Sequence, residues 1–181
     1  MNRRKLITGG LVGAAAVAAG CGTKAGTGPG AATGGLGKRV RWTLASSFPS
    51  SLDTIYGAAE VLAARVAEMS GGQFTIRVME AGELVGAMQV LDSVQNGAAQ
   101  IGQTGGYYYT GKDAALAFDT CVPFGLTARQ QTAWLLEGGG LELMREVYAD
   151  FGIINFPGGN TGAQMGGWFK NKVDSLDDLK G

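Results

Sequence analysis

Beyond Arg39 the apolar residues switch between two periods, and that switching limits the folds open to the chain. Val40, Trp42 and Leu44 alternate as a strand, then Ile55, Ala59, Leu62, Val66 and Met69 recur at spacings of four and three, which predicts a helix. Phe74, Ile76 and Val78 alternate again; Met88, Leu91 and Val94 outline a second helix closed by Asn96-Gly97, and Ala99 to Thr104 reads as a third strand. Strands separated by helices pair in parallel, because parallel neighbours need a crossover between them. The expected fold class is therefore α/β. Ser50-Ser51-Leu52-Asp53 reads as a capping box at the first helix start, and Ser70-Gly71-Gly72 as its stop. A longer helical stretch is expected from about Thr127 to Tyr148, broken at Gly138-Gly139-Gly140. A strand from Phe151 to Phe156 follows, then a turn at Pro157-Gly158-Gly159, a short apolar piece from Met165 to Phe169, and a helix start at Ser175-Leu176-Asp177-Asp178.

The N-terminus is a different kind of sequence, since eleven of the 32 glycines precede Lys38. Arg3, Arg4 and Lys5 lead, with no acidic residue, into an apolar run from Leu6 to Gly20. That run is shorter than the roughly 20 residues a bilayer core demands, so residues 1–20 read as a signal peptide. Asn2-Arg3-Arg4-Lys5-Leu6-Ile7 suits twin-arginine export, with an ordinary secretory signal as the alternative. Ala18-Ala19-Gly20-Cys21 has the form of a lipobox, making Cys21 the lipid attachment point, although Ala18 stands where Leu is usual. The alternative is a cleavage after Ala19 that leaves an ordinary thiol. Residues 21–38 form a Gly-rich tether. Cleavage before Cys21 leaves 12 basic against 15 acidic residues, net −3, which gives no footprint for nucleic acid.

Composition removes several chemistries. With 45% apolar and 17% charged residues the chain can bury a core, and its 181 residues allow one ordinary domain and part of another. The absence of His excludes Ser-His-Asp and Cys-His catalysis and His-ligated zinc; two Cys exclude a disulfide framework and a four-thiolate metal site. No phosphate loop and no GxGxxG after a strand occurs. Cys121 has only Thr120, Val122, Pro123 and Phe124 around it, none of them an activating base, so it is read as structural.

Three segments go beyond scaffolding. Glu80-Ala81-Gly82-Glu83-Leu84-Val85 follows a strand end, the edge where open α/β sheets place ligands, and reads equally as an ordinary loop. Gly105-Gly106-Tyr107-Tyr108-Tyr109-Thr110-Gly111-Lys112 can present phenol donors to a small acid, the glycines admitting close approach; an aromatic core with incidental hydroxyls is the alternative. Phe156 to Phe169 holds five glycines with Asn160 and Gln164, which suits directional neutral binding or a metal-ligating amide oxygen rather than acid-base chemistry. A plain Gly-rich linker fits it too.

Ala81-Gly82-Glu83-Leu84-Val85, Tyr107-Tyr108-Tyr109 with Gly111-Lys112, Val122-Pro123-Phe124-Gly125-Leu126, Asn160-Thr161-Gly162-Ala163-Gln164-Met165-Gly166-Gly167-Trp168-Phe169 and Asp178-Leu179-Lys180-Gly181 together resemble the solute-binding proteins of TRAP transporters (the DctP-like family), from about Arg39 onward. The resemblance is strongest to the subgroup that binds 2-oxo and 2-hydroxy monocarboxylates with a cation. It implies a periplasmic-binding-protein-like fold of two α/β domains: residues 39–156 as an incomplete first domain, residues 157–181 as the crossover and truncated start of the second. It implies a periplasmic receptor, not an enzyme, that captures a pyruvate-like 2-oxo acid or lactate-like 2-hydroxy acid with bridging Na⁺ or Ca²⁺ and delivers it to TRAP membrane permease subunits, with a homodimer as a further partner. The residues it assigns are Tyr107, Tyr108, Asn160 and Gln164 on the ligand, with Gln164 also on the cation. The carboxylate-holding arginine, and the Trp and acidic residue completing the cation site, are expected beyond Gly181. Lys170 stands where Arg is expected, losing a bidentate fork, and Cys121 where a small residue is usual. Two other classes compete: a secreted α/β enzyme acting on a small organic acid, disfavoured by the missing nucleophile-base pair, and a ligand-free lipoprotein adaptor.

Overall fold

The computed structural model describes residues 39–180. The signal peptide expected at 1–20, the lipid attachment expected at Cys21, the tether expected at 21–38, and Gly181 lie outside the described residues. Strand β1 (Val40–Ser46) leads to helix α1 (Asp53–Met69), then β2 (Phe74–Met79), a 3₁₀ turn (Ala87–Gln89) running into α2 (Val90–Gln95), and β3 (Ile101–Gln103). The sheet order is β2-β1-β3, and both pairings are parallel. Trp42 faces Ile76 and Leu44 faces Val78 on one side of β1, while Leu44 faces Ile101 and Ser46 faces Gln103 on the other. The first half of the chain thus obeys the rule that crossovers enforce parallel pairing. This register sets the carboxyl ends of β1 and β3 side by side.

Two further 3₁₀ turns, Gly106–Tyr109 and Ala114–Ala117, precede α3 (Ala128–Glu137) and α4 (Gly140–Ala149), and a last one spans Leu176–Leu179. One apolar cluster gathers Leu91, Tyr109, Leu116, Leu135, Met144 and Tyr148; a second gathers Ala45, Val90 and Ala99 between sheet and α2. The larger cluster joins α2, both 3₁₀ turns, α3 and α4, so helices far apart in sequence hold the turn that follows β3.

Two expectations are corrected. Ser50 and Ser51 do not cap α1: Leu52 N–H bonds the Pro49 carbonyl at 3.0 Å in a preceding turn, the helix opens at Leu52 without a side-chain cap, and Ser50 N–H donates to Glu80 Oε2 at 2.7 Å. Residues 151–156 form no strand. Their burial alternates, with Phe151, Ile153 and Asn155 half-buried, yet no partner strand runs beside them among the described residues. Phe151 and Ile153 spend their N–H groups on the Tyr148 carbonyl at the end of α4.

Candidate ligand-binding site

Chain reversal at the carboxyl ends of parallel strands leaves polar backbone and side chains to be satisfied locally, and here hydroxyls do it. Ser46 and Ser47, at the end of β1, are buried. Ser46 Oγ donates to Gln103 Oε1 at 2.7 Å and accepts from Phe48 N–H at 3.0 Å; Gln103 Nε2 donates to the Ile55 carbonyl at 2.7 Å. Ser47 Oγ lies 2.6 Å from both the Ala87 carbonyl and Thr104 Oγ1. Thr104 Oγ1 in turn sits 2.8 Å from the Tyr109 hydroxyl, which accepts the Leu91 N–H at 3.2 Å. A buried hydroxyl is costly unless bonded, and this chain of hydroxyls bonds them all while tying Tyr109 to the sheet edge.

Tyr109 is 2% exposed and therefore serves the scaffold, whereas Tyr107 is 38% exposed and Tyr108 lies between. The Tyr107 and Tyr108 rings stand 4.4 Å apart at 52°, and Tyr108 meets Tyr109 edge-on at 6.4 Å. The result is a graded stack, closed at Tyr109 and most open at Tyr107. Burial, followed by the Tyr108 hydroxyl, pushes the Tyr107 phenol well above its ordinary pKa of 10.0, so it stays a neutral hydrogen-bond donor. Gly106 allows this turn its depth: a Cβ there would strike the Leu116 carbonyl, Asp119 Oδ1 and, at 2.9 Å, the Tyr148 hydroxyl.

The Glu80–Val85 segment follows β2 as a loop. Glu80 holds Ser50, which draws its carboxyl below the ordinary value, and Glu83 pairs with Arg77 at 3.0 Å on the exposed surface. Asn160 and Gln164 share one exposed loop with local bonds only: Gly162 N–H donates to Asn160 Oδ1 at 3.1 Å, and Gln164 Nε2 donates to Thr161 Oγ1 at 2.7 Å. Asn160 also borders an open depression of about 440 Å³ against α3, beside Arg129 and Thr132. The structure therefore brings Tyr107 to Tyr108 and Asn160 to the Gln164 loop, and no hydrogen bond joins the two pairs. Lys170 is exposed, and Cys121 is a free exposed thiol, not a packed one. Sequence reasoning missed Ser47, Thr104, Asp119 and Tyr148; the hydroxyls just after each strand were a local signal for the first two.

For a cation, Gln164 Oε1 is a hard oxygen that accepts no hydrogen bond among the described residues, so its chemistry fits Na⁺ or Ca²⁺. No group of three acidic, Cys or His side chains able to hold a metal occurs among the described residues.

A family model described as bacterial extracellular solute-binding protein, family 7 (DctP), matches residues 45–181. A monocarboxylate 2-oxoacid-binding periplasmic protein of Nostoc sp. (strain PCC 7120) is 58% identical over 142 residues, covering 78% of this chain and 39% of that protein. Among solved structures, a TRAP transporter solute-binding protein from Bordetella bronchiseptica RB50 with copurified calcium and picolinate aligns with a TM-score of 0.75 and 46% identity, over 78% of this chain and 42% of that one. A TRAP periplasmic solute-binding protein from Pseudoalteromonas atlantica T6c, with bound sodium and pyruvate, gives the same TM-score and identity over 80% and 44%. The chain spans about two fifths of the length of these relatives. The parallel α/β sheet is a part of their fold, and with the family model covering most of the sequence, the chain belongs to family 7 of the bacterial extracellular solute-binding proteins.

Proposed function

We propose that the chain is the ligand-facing first portion of an extracytoplasmic receptor for a small 2-oxo monocarboxylate, bound together with Na⁺ or Ca²⁺ and passed unchanged to a TRAP membrane permease. The observation that carries this reading is the tyrosine turn at the carboxyl ends of parallel strands, the place where open α/β sheets take ligands. Phenol hydroxyls suit a carboxylate or a keto oxygen as donors, and an amide oxygen suits the cation. The pyruvate, picolinate, sodium and calcium seen in the relatives fit that donor set. Residues 39–156 make the first domain in this reading and 157–181 lead into the second. Tyr107, Tyr108, Asn160 and Gln164 are the contacts proposed for this chain.

Because the chain spans two fifths of its relatives, binding is measured on the full-length receptor. Calorimetry with pyruvate is expected to show affinity that falls on removal of sodium and calcium. Gln164→Ala is expected to weaken binding by about tenfold or more and to blunt the cation dependence, as loss of one charge-facing ligand typically costs about 1.5–3 kcal/mol. Unchanged affinity in that variant would remove Gln164 from the site, and pyruvate consumed rather than recovered would replace a receptor with an enzyme.

In this reading the receptor is exported and anchored at the outer membrane face through a lipidated Cys21. Cys21→Ser is expected to move the protein from the membrane to the soluble fraction. Mass spectrometry finding an unmodified N-terminus downstream of Cys21 in the native protein would end the anchoring proposal.

A further inference from the structure

Tyr148, near the end of α4, touches the tyrosine turn with its hydroxyl and the segment after α4 with its carbonyl. Its ring lies buried in the larger apolar cluster with Leu116, Leu135 and Met144. Its hydroxyl donates to Asp119 Oδ2 at 2.7 Å, and Asp119 Oδ1 accepts from Thr120 Oγ1 at 2.6 Å. Gly106, first residue of the tyrosine turn, is pressed against this pair so closely that no side chain fits between them. On the backbone side, the Tyr148 carbonyl accepts both Phe151 N–H at 3.0 Å and Ile153 N–H at 3.1 Å, which ends α4 and starts the segment leading to Asn160 and Gln164.

Packing alone does not require a hydroxyl here. Phe would fill the same space, and a buried hydroxyl and carboxylate are each costly to desolvate. Their joint presence against Gly106 needs another reason. We propose that Tyr148 is a positioning residue for ligand binding: its hydroxyl, through Asp119, fixes the depth of the Gly106–Tyr109 turn against α4, while its carbonyl fixes the departure of the amide-bearing segment, so that phenols and amides meet one ligand. The proposal rests on the reading of Tyr107, Tyr108 and Gln164 as ligand contacts. It adds residues that touch neither ligand nor cation.

The test uses the full-length receptor, pyruvate and calcium, with circular dichroism confirming that each variant is folded. Tyr148→Phe keeps the ring and is expected to weaken pyruvate binding about tenfold, roughly 1.4 kcal/mol. Asp119→Ala is expected to match it, whereas Asp119→Asn, whose amide oxygen still accepts from Tyr148, stays within about twofold of wild type. Combined with Tyr107→Phe, the Tyr148→Phe loss is expected to be less than multiplicative, because a displaced turn has already lost the Tyr107 contact. A structural role alone would lower thermal stability without that coupling. Wild-type affinity in Tyr148→Phe beside weakened binding in Tyr107→Phe overturns the proposal, as do losses that multiply fully. Wild-type affinity in both Tyr107→Phe and Gln164→Ala sinks the site reading itself, and the positioning role falls with it.

Discussion

Burial holds the Asp119 carboxyl above its ordinary 3.8, against the downward pull of hydrogen bonds from Thr120 and Tyr148. Tyr148 is raised in turn, first by burial and then by the Asp119 charge. A carboxyl with a raised folded value binds its proton more tightly in the native state, so its contribution to stability is complete below pH 3.8 and is lost as pH rises through that raised value. Asp119→Asn should therefore flatten the fall in stability across that window, read as denaturation midpoints from about pH 3.5 to 6.5. Identical pH profiles for variant and wild type would show that Asp119 does not titrate as its surroundings imply. Glu80 works in the opposite direction, since Ser50 N–H draws it below its ordinary value and its contribution is lost as pH falls. Comparing the variant with wild type cancels that background. Neither Asp119 nor Tyr148 stands out in the sequence, because 29 positions separate them and only folding makes them partners. Tyr107 and Tyr108 were visible as a run, but the exposure that distinguishes them from Tyr109 comes from the depth of the turn.

At the scale of elements, local chemistry explains the breaks better than the beginnings. Gly139 carries φ +79° at the start of α4, and a Cβ there would meet no atom, so the demand is purely one of backbone conformation. Gly139→Ala is expected to cost about 1–2 kcal/mol and Gly139→Asn less, measured by urea unfolding; equal stability of all three would mean that the turn adopts another conformation in solution. Thr127 and Gln130 form a reciprocal capping box at α3, as the residue types favour. At the last 3₁₀ turn, where Ser175-Leu176-Asp177-Asp178 was expected to start a helix, only half of such a box forms: Asp178 Oδ2 accepts from Ser175 N–H at 2.8 Å, while Asp178 N–H goes to the Ser175 backbone carbonyl. The Ser50–Asp53 box failed because the Pro49–Leu52 turn and the Glu80 carboxylate took those residues for a tertiary contact. Residues 151–156 failed as a strand for a related reason, since alternation prescribes two faces but only a neighbouring strand supplies a ladder.

Across the whole molecule, the described residues leave a great deal of apolar surface uncovered. Phe124, Phe156, Trp168, Phe169 and Leu176 are all largely exposed, and Phe124 projects fully into solvent. Surfaces of that kind mark interfaces or aggregation-prone faces. Residues 39–181 expressed alone are thus expected to bind a hydrophobic dye strongly and to self-associate in size-exclusion chromatography. A monodisperse, dye-silent monomer would show that these side chains find cover within the chain itself. The strand-helix-strand order, the parallel pairing and the glycine break between α3 and α4 were determined by the sequence alone, because period, crossover length and left-handed backbone are local properties of the chain. The family's motifs were likewise legible, as short runs of residue types. Only the tertiary structure decided which tyrosine is scaffold and which is open to solvent, that Glu80 and Glu83 bond Ser50 and Arg77, and that Asp119 and Tyr148 pack against the tyrosine turn. Those outcomes depend on burial and on hydrogen bonds between residues tens of positions apart, and no pattern along the chain encodes which distant group will satisfy a buried polar atom.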